Sequence, residues 1–115
     1  LRDKLRGALE SVDGGRNGRL DLPTIQQYVA KEWGVTAEGL KSKTRTKTLT
    51  TPRQVGMFLA RELLGIPLVE IGQAFGGRDH STVIHSLDRV AEGISTDATF
   101  AGRVGKLRSN LRTML

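Results

Sequence analysis

The 115-residue chain has no cysteine. That excludes a disulfide scaffold, a thiolate zinc site and a thiol nucleophile, and it fits a reducing compartment. Aromatic residues make up 4%. Tyr28 and Trp33, on a helical pattern, are too few to build a stacking platform for single strands and are expected in the core. No apolar run approaches the roughly 18 residues that a membrane span requires, and no signal-peptide pattern is present. Histidine occurs only as His80 and His85. Five residues apart, they diverge by about 140° on a helix, whereas same-face zinc pairs stand three or four apart. His85 and Asp88 have that spacing, but no third ligand is evident. No metal, cofactor or catalytic residue is expected, and His85 reads as a partly buried helix residue. Acidic side chains are missing throughout Lys41 to Arg61. The first residue is leucine, which suggests a piece of a longer protein.

Basic charge is what the chain has in excess: 18 Lys+Arg stand against 12 Asp+Glu, for a net charge of +6. On one short domain this favours a polyanionic partner, nucleic acid or an acidic membrane surface. The length corresponds to a single domain with a buried core, and apolar spacing is helical almost everywhere. Leu5, Leu9 and Val12 suggest a short amphipathic helix. The glycine-rich stretch 14–18 after it breaks any helix. Asp21 is a good N-cap with Pro23 just inside, Leu22, Ile25, Val29 and Trp33 share one face, and Gly34 ends the helix. A further turn is expected over 36–40. From Lys41 to Thr51, Lys and Arg alternate with Ser and Thr, as in a solvated loop or in an extended arm along a phosphate backbone. Thr51-Pro52 reads as a cap and first turn of a central helix, which runs through Val55, Phe58, Leu59, Leu63 and Leu64 to Gly65. A final helix carries Phe100, Val104, Leu107, Leu111 and Met114, with Gly102 and Gly105 each costing about 1 kcal/mol relative to Ala.

Between these lies a paired unit. Pro67 opens a short helix with Leu68, Ile71 and Phe75. Gly76-Gly77 turns the chain, and Asp79 caps a second helix with Val83, Ile84, Leu87, Val90 and Ile94 on its apolar face. Helix, tight turn, helix is the helix-turn-helix pattern. The second helix opens with Asp79, His80, Ser81 and Thr82. All are short hydrogen-bonding residues, placed where a recognition helix meets bases. The pattern alone leaves a structural αα-hairpin open. Asp79 also has a plainer role as N-cap, and Arg78 a plainer role in holding the turn.

The run Phe75-Gly-Gly-Arg-Asp-His-Ser-Thr-Val-Ile-His85 resembles the C-terminal DNA-binding domain of the bacterial replication initiator DnaA. Ser42-Lys-Thr-Arg45, Pro52-Arg53-Gln54, Ala60-Arg-Glu-Leu63 and Ile71-Gly72-Gln-Ala-Phe75 resemble its other motifs in the same order. The match is strongest over residues 22–92. The resemblance implies an all-α fold of about six helices, related to Trp repressor, that binds double-stranded DNA at short asymmetric origin sites. Residues 21–115 would form that domain, and residues 1–20 a connecting helix and glycine-rich joint. It implies Arg45 in the minor groove and Asp79, His80 and Ser81 at major-groove base edges. Leu68 and Val69 would pack against the DNA there. Lys43, Lys47, Arg53, Gln54, Arg61 and Thr82 would meet phosphates. Thr44, Thr51, Ser81 and Val69 depart from common family residues, which bears on the fine sequence preference.

The family's ATP-binding module is absent from this chain, and self-assembly would use such absent parts. The connecting helix, with Arg2, Lys4 and Arg6, is associated in the family with acidic phospholipids. A cytoplasmic, nucleoid-associated location is implied. Competing readings are a transcription regulator or transposase that carries the same module, and an acidic-phospholipid-binding domain using Arg103, Lys106, Arg108 and Arg112 of the last helix. RNA is disfavoured, because short side chains on a helix front suit a B-form major groove.

Overall fold

The computed structural model describes residues 20–44 and 46–115. The expectations for residues 1–19, connecting helix included, and for Arg45 lie outside the described residues. Among the described residues, six helices form the fold: α1 (Leu22–Trp33), α2 (Ala37–Lys41), α3 (Lys47–Leu59), α4 (Leu68–Ala74), α5 (His80–Thr96) and α6 (Ala98–Arg112). No strand occurs among the described residues. α3 runs directly into a π-helical turn, Ala60–Leu64.

Local chemistry sets most of the boundaries. Asp21 accepts from the Thr24 N–H at 2.9 Å and starts α1, and Gly34 closes it at φ 69°. Gly65, at φ 63°, stops the π turn. Asp97 ends α5 and begins α6, its carboxylate accepting from the Phe100 N–H at 3.1 Å.

The start of α3 differs from the expectation. The helix begins at Lys47 with Thr46 as N-cap, so Thr51-Pro52 is not its cap and Pro52 stands inside it. A proline in the second turn forfeits one backbone bond, and its ring is fully buried, which offsets part of that cost. Lys47 to Thr51 are therefore helical, and among the described residues the irregular part of the basic arm shrinks to 42–44 and 46.

α3 is the hub, packed by α1, α2 and α5. Ile25, Leu40, Val55, Leu59, Ile71, Val83, Val104 and Leu111 form the dry centre together with Phe75. A Cβ on Gly56 would lie 2.7 Å from the Phe75 ring, so that glycine lets α3 approach the end of α4. Gln26, itself buried, donates to the Ala74 carbonyl at 2.9 Å and satisfies the C-terminal end of α4. Arg103 ties α6 to α1 through the Glu32 carboxylate at 3.2 Å and the Trp33 ring at 4.1 Å.

Three apolar or aromatic assignments change. Ile84 is 42% exposed, because the buried stripe of α5 runs through Val83, Ser86 and Val90, one position round the helix. Tyr28 is exposed, not core, and His85 is exposed, not partly buried.

Candidate nucleic-acid interface

The helix pair α4–α5 turns on backbone geometry. The N–H groups of Gly77 and Arg78 both donate to the Gly72 carbonyl, at 3.0 and 2.9 Å. A Cβ on Gly72 would overlap the Arg78 carbonyl oxygen, so only glycine lets the two helices close on this turn. Gly76 and Gly77 take φ of 98° and 75°, which L side chains rarely adopt.

Asp79 then caps α5, its Oδ1 accepting from the Thr82 N–H at 2.9 Å. Thr82's N–H and hydroxyl, more than the neighbouring His80, hold the Asp79 carboxyl below its ordinary pKa. Asp79, His80, Ser81 and Thr82 are all exposed, whereas Val83 directly behind them is fully buried. The front of α5 therefore presents one acceptor, one imidazole and two hydroxyls to the outside. A carboxylate can cap with one oxygen and accept from a base amino group with the other.

Two adjoining depressions flank this front. One, of about 320 Å³, lies between α3 and α5 and brings together Arg53, Gln54 and Thr82 with Thr50, Arg78 and Ser86. The other joins Lys43 of the arm to Gly76, Gly77, Arg78, Asp79 and Thr82. Arg78 and Thr82 belong to both. Lys47 is exposed in the first turn of α3, and Val69, at 60% exposure, projects from the start of α4 with Leu68 half-buried behind it. Arg61 is exposed on the π turn, donating from Nη1 to the Ile66 carbonyl at 2.8 Å, and lines neither depression.

Arg53 is placed differently from a free phosphate anchor. It is 5% exposed. Its Nε donates to the Leu40 carbonyl at 3.0 Å, Nη1 to Thr44 at 2.8 Å, and Nη2 to Gly39 at 2.9 Å and to Ser42 Oγ at 3.4 Å. Four of the five N–H donors of a guanidinium are spent inside the fold, leaving one on Nη1. Burial, and then the positive charge of Arg78, lower its pKa from the ordinary arginine value. Sequence reasoning reached Ser42 only as part of the Ser42–Arg45 motif and gave no role to it, to Thr50 or to Ser86, whose part in the site is a matter of tertiary placement. Arg78 did carry a signal, standing between a glycine turn and a helix cap. On α6, Arg103 and Lys106 face Glu32, and Arg108 faces Glu62.

The family model described as "Bacterial dnaA protein helix-turn-helix" matches residues 22–90. A chromosomal replication initiator protein DnaA from Lactiplantibacillus plantarum is 44% identical over 107 residues, covering 92% of this chain and 24% of that protein. The same-named protein of Symbiobacterium thermophilum is 37% identical over 97 residues, covering 84% of this chain and 21% of the relative. The chain thus spans about a quarter of the length of the curated relatives it matches. Among solved structures, an AMPPCP-bound DnaA from Aquifex aeolicus superposes with a TM-score of 0.71 at 31% identity, over 82% of this chain and 28% of that one. A DNA replication initiation factor gives 0.71 at 33% identity, over 80% and 28%.

Proposed function

The chain belongs to the bacterial DnaA helix-turn-helix family, and from that premise we propose that it binds double-stranded DNA sequence-specifically at short asymmetric origin sites. The observation that carries the reading is the front of α5, an exposed Asp79–Thr82 run backed by the buried Val83. In this reading Asp79, His80 and Ser81 meet base edges in the major groove, and Val69, with Leu68 behind it, covers apolar surface beside them. Arg45 enters the neighbouring minor groove from the arm, where groove width and A·T content are legible but base identity is largely not. Lys43, Lys47, Gln54, Thr82 and Arg61 meet phosphates. Arg53 has one donor left for that purpose, and its main work is to hold the arm in place.

No step of chemistry is assigned to these residues. In a longer protein the domain would bring an ATP-dependent assembly to the origin, in the nucleoid. No helix among the described residues is long and apolar enough to cross a membrane. Binding to acidic phospholipid is the competing use of basic charge, but three of the α6 cations already face Glu32 and Glu62.

Salt-titrated duplex binding beside flotation on acidic-lipid vesicles tests the proposal. The expected result is tight duplex binding whose log K falls by about 0.9 per unit log salt for each phosphate engaged, with little flotation at the same protein concentration. Flotation without duplex binding would overturn it.

A further inference from the structure

The arm meets the turn of the helix pair at Ser42, and the described residues 42–44 have neither helix nor sheet to satisfy their backbone. Arg78 supplies what is missing from one side. Its Nε donates to the Phe75 carbonyl at the end of α4 at 3.1 Å, and its Nη2 to the Ser42 carbonyl at 3.0 Å. One guanidinium thus bridges the helix-turn-helix to the arm. Arg53 supplies the other side, holding the arm's Thr44 carbonyl, and the Gly39 and Leu40 carbonyls at the end of α2 just before it, onto α3. Ser42 closes the arm on itself, with Oγ donating to the Gly39 carbonyl at 2.8 Å and accepting from the Thr44 N–H at 3.3 Å. The contact with the turn is tight: a Cβ on Gly76 would lie 2.6 Å from the Ser42 carbonyl oxygen and 3.1 Å from that of Lys41. The turn and the arm leave no room for a side chain between them.

We infer that Arg78 is a positioning residue for DNA recognition, clamping the basic arm to the recognition turn at Ser42 so that the arm meets one groove in fixed register with α5 in the next. The inference rests on the duplex-binding reading above. A flexible basic arm gives charge but no register, because it pays its ordering entropy on binding. With Ser42 pinned by a planar two-point fork, the start of the arm arrives already ordered. A lysine ammonium in place of Arg78 keeps the charge but not the fork, so it cannot hold Phe75 and Ser42 together.

The test is competitive binding of the full 115-residue chain to duplexes carrying all four base pairs at each position of a selected site, for wild type, Arg78→Lys and Gly76→Ala, with melting midpoints measured beside them. For Arg78→Lys we expect preference at the pairs under the arm to fall by about tenfold, of the order of one lost base-pair discrimination. Preference under α5 should stay within about twofold, since the turn ahead of α5 is still closed by the backbone N–H groups of residues 77 and 78 on the Gly72 carbonyl. Gly76→Ala, which pushes on the same carbonyl without changing charge but also strains the φ 98° turn ahead of α5, should lower preference under the arm at least as much and lower preference under α5 as well. An unaltered Arg78→Lys profile, or an equal loss at every position, would overturn the inference while leaving the duplex-binding reading intact. A wild-type chain without base preference anywhere would overturn that reading itself.

Discussion

An aspartate at a helix N-cap and an aspartate facing a base make different demands on one carboxylate; Asp79 meets the first, and the proposed function asks it to meet the second. Asn caps about as well as Asp, so Asp79→Asn should keep the melting temperature, with stability changed by only a few tenths of a kcal/mol at neutral pH. Its base preference should change, because an amide donates as well as accepts. We expect discrimination at one base pair to fall by about 1–3 kcal/mol, with a shift towards adenine. Acid separates the two variants further. The folded-state pKa of Asp79 is lowered by its Thr82 bonds. Its contribution is therefore complete above the unfolded value of about 3.9 and is lost as pH falls through the folded value. An acid titration of stability should show that component in wild type and not in Asp79→Asn. Arg53 makes the opposite case, a charge whose meaning the sequence concealed. Nothing in Pro52-Arg53-Gln54 tells a phosphate anchor from a buried staple, because burial of a cation is decided by segments far along the chain. Arg53→Ala would strip three backbone carbonyls of their donors and should cost about 3 kcal/mol, read as a lower melting midpoint. Arg53→Lys should recover little of that, lacking the fork.

Helix ends were legible where their chemistry is local. Asp21, Gly34, Gly65 and Asp79 stand where capping rules place them, and each does the expected work. The start of α3 was not legible, since Thr51-Pro52 satisfies the same rules and is overridden by five further helical residues before Pro52, itself buried in the core. Ile84 shows a related limit. Adjacent apolar residues on a helix straddle the edge of a stripe, and only packing decides which one turns outward. Glycines separate by the same criterion. Gly72→Ala should open the α4–α5 turn and abolish specific binding, because its methyl would overlap the Arg78 carbonyl. Gly102 and Gly105 in α6 have nothing within 4 Å of an added Cβ among the described residues. Gly105→Ala should raise stability by about 0.5–1 kcal/mol, with duplex binding unchanged. Thermal melts and a duplex titration of the same variants check both statements.

At the scale of the whole molecule, one hub helix, α3, holds the pieces that would face DNA. It carries Gln54 and the Arg53 staple, packs on α5, and receives Phe75 from the end of α4 on Gly56. A net charge of +6 supplies attraction to any polyanion and by itself explains no preference among sequences. In the proposed function, specificity comes from the front of α5 and from the arm, held in a fixed relation. The all-helical class and the helix-turn-helix were legible because helical periodicity and glycine turns are written along the chain. The relation between arm and turn was not, since it depends on Arg78, Arg53 and Ser42 meeting across the fold. The most direct measurement is selection of bound duplexes from a random pool. The account predicts enrichment of a single short asymmetric motif, with an A·T-rich flank on the arm side. Salt-sensitive binding with no motif enriched would contradict it.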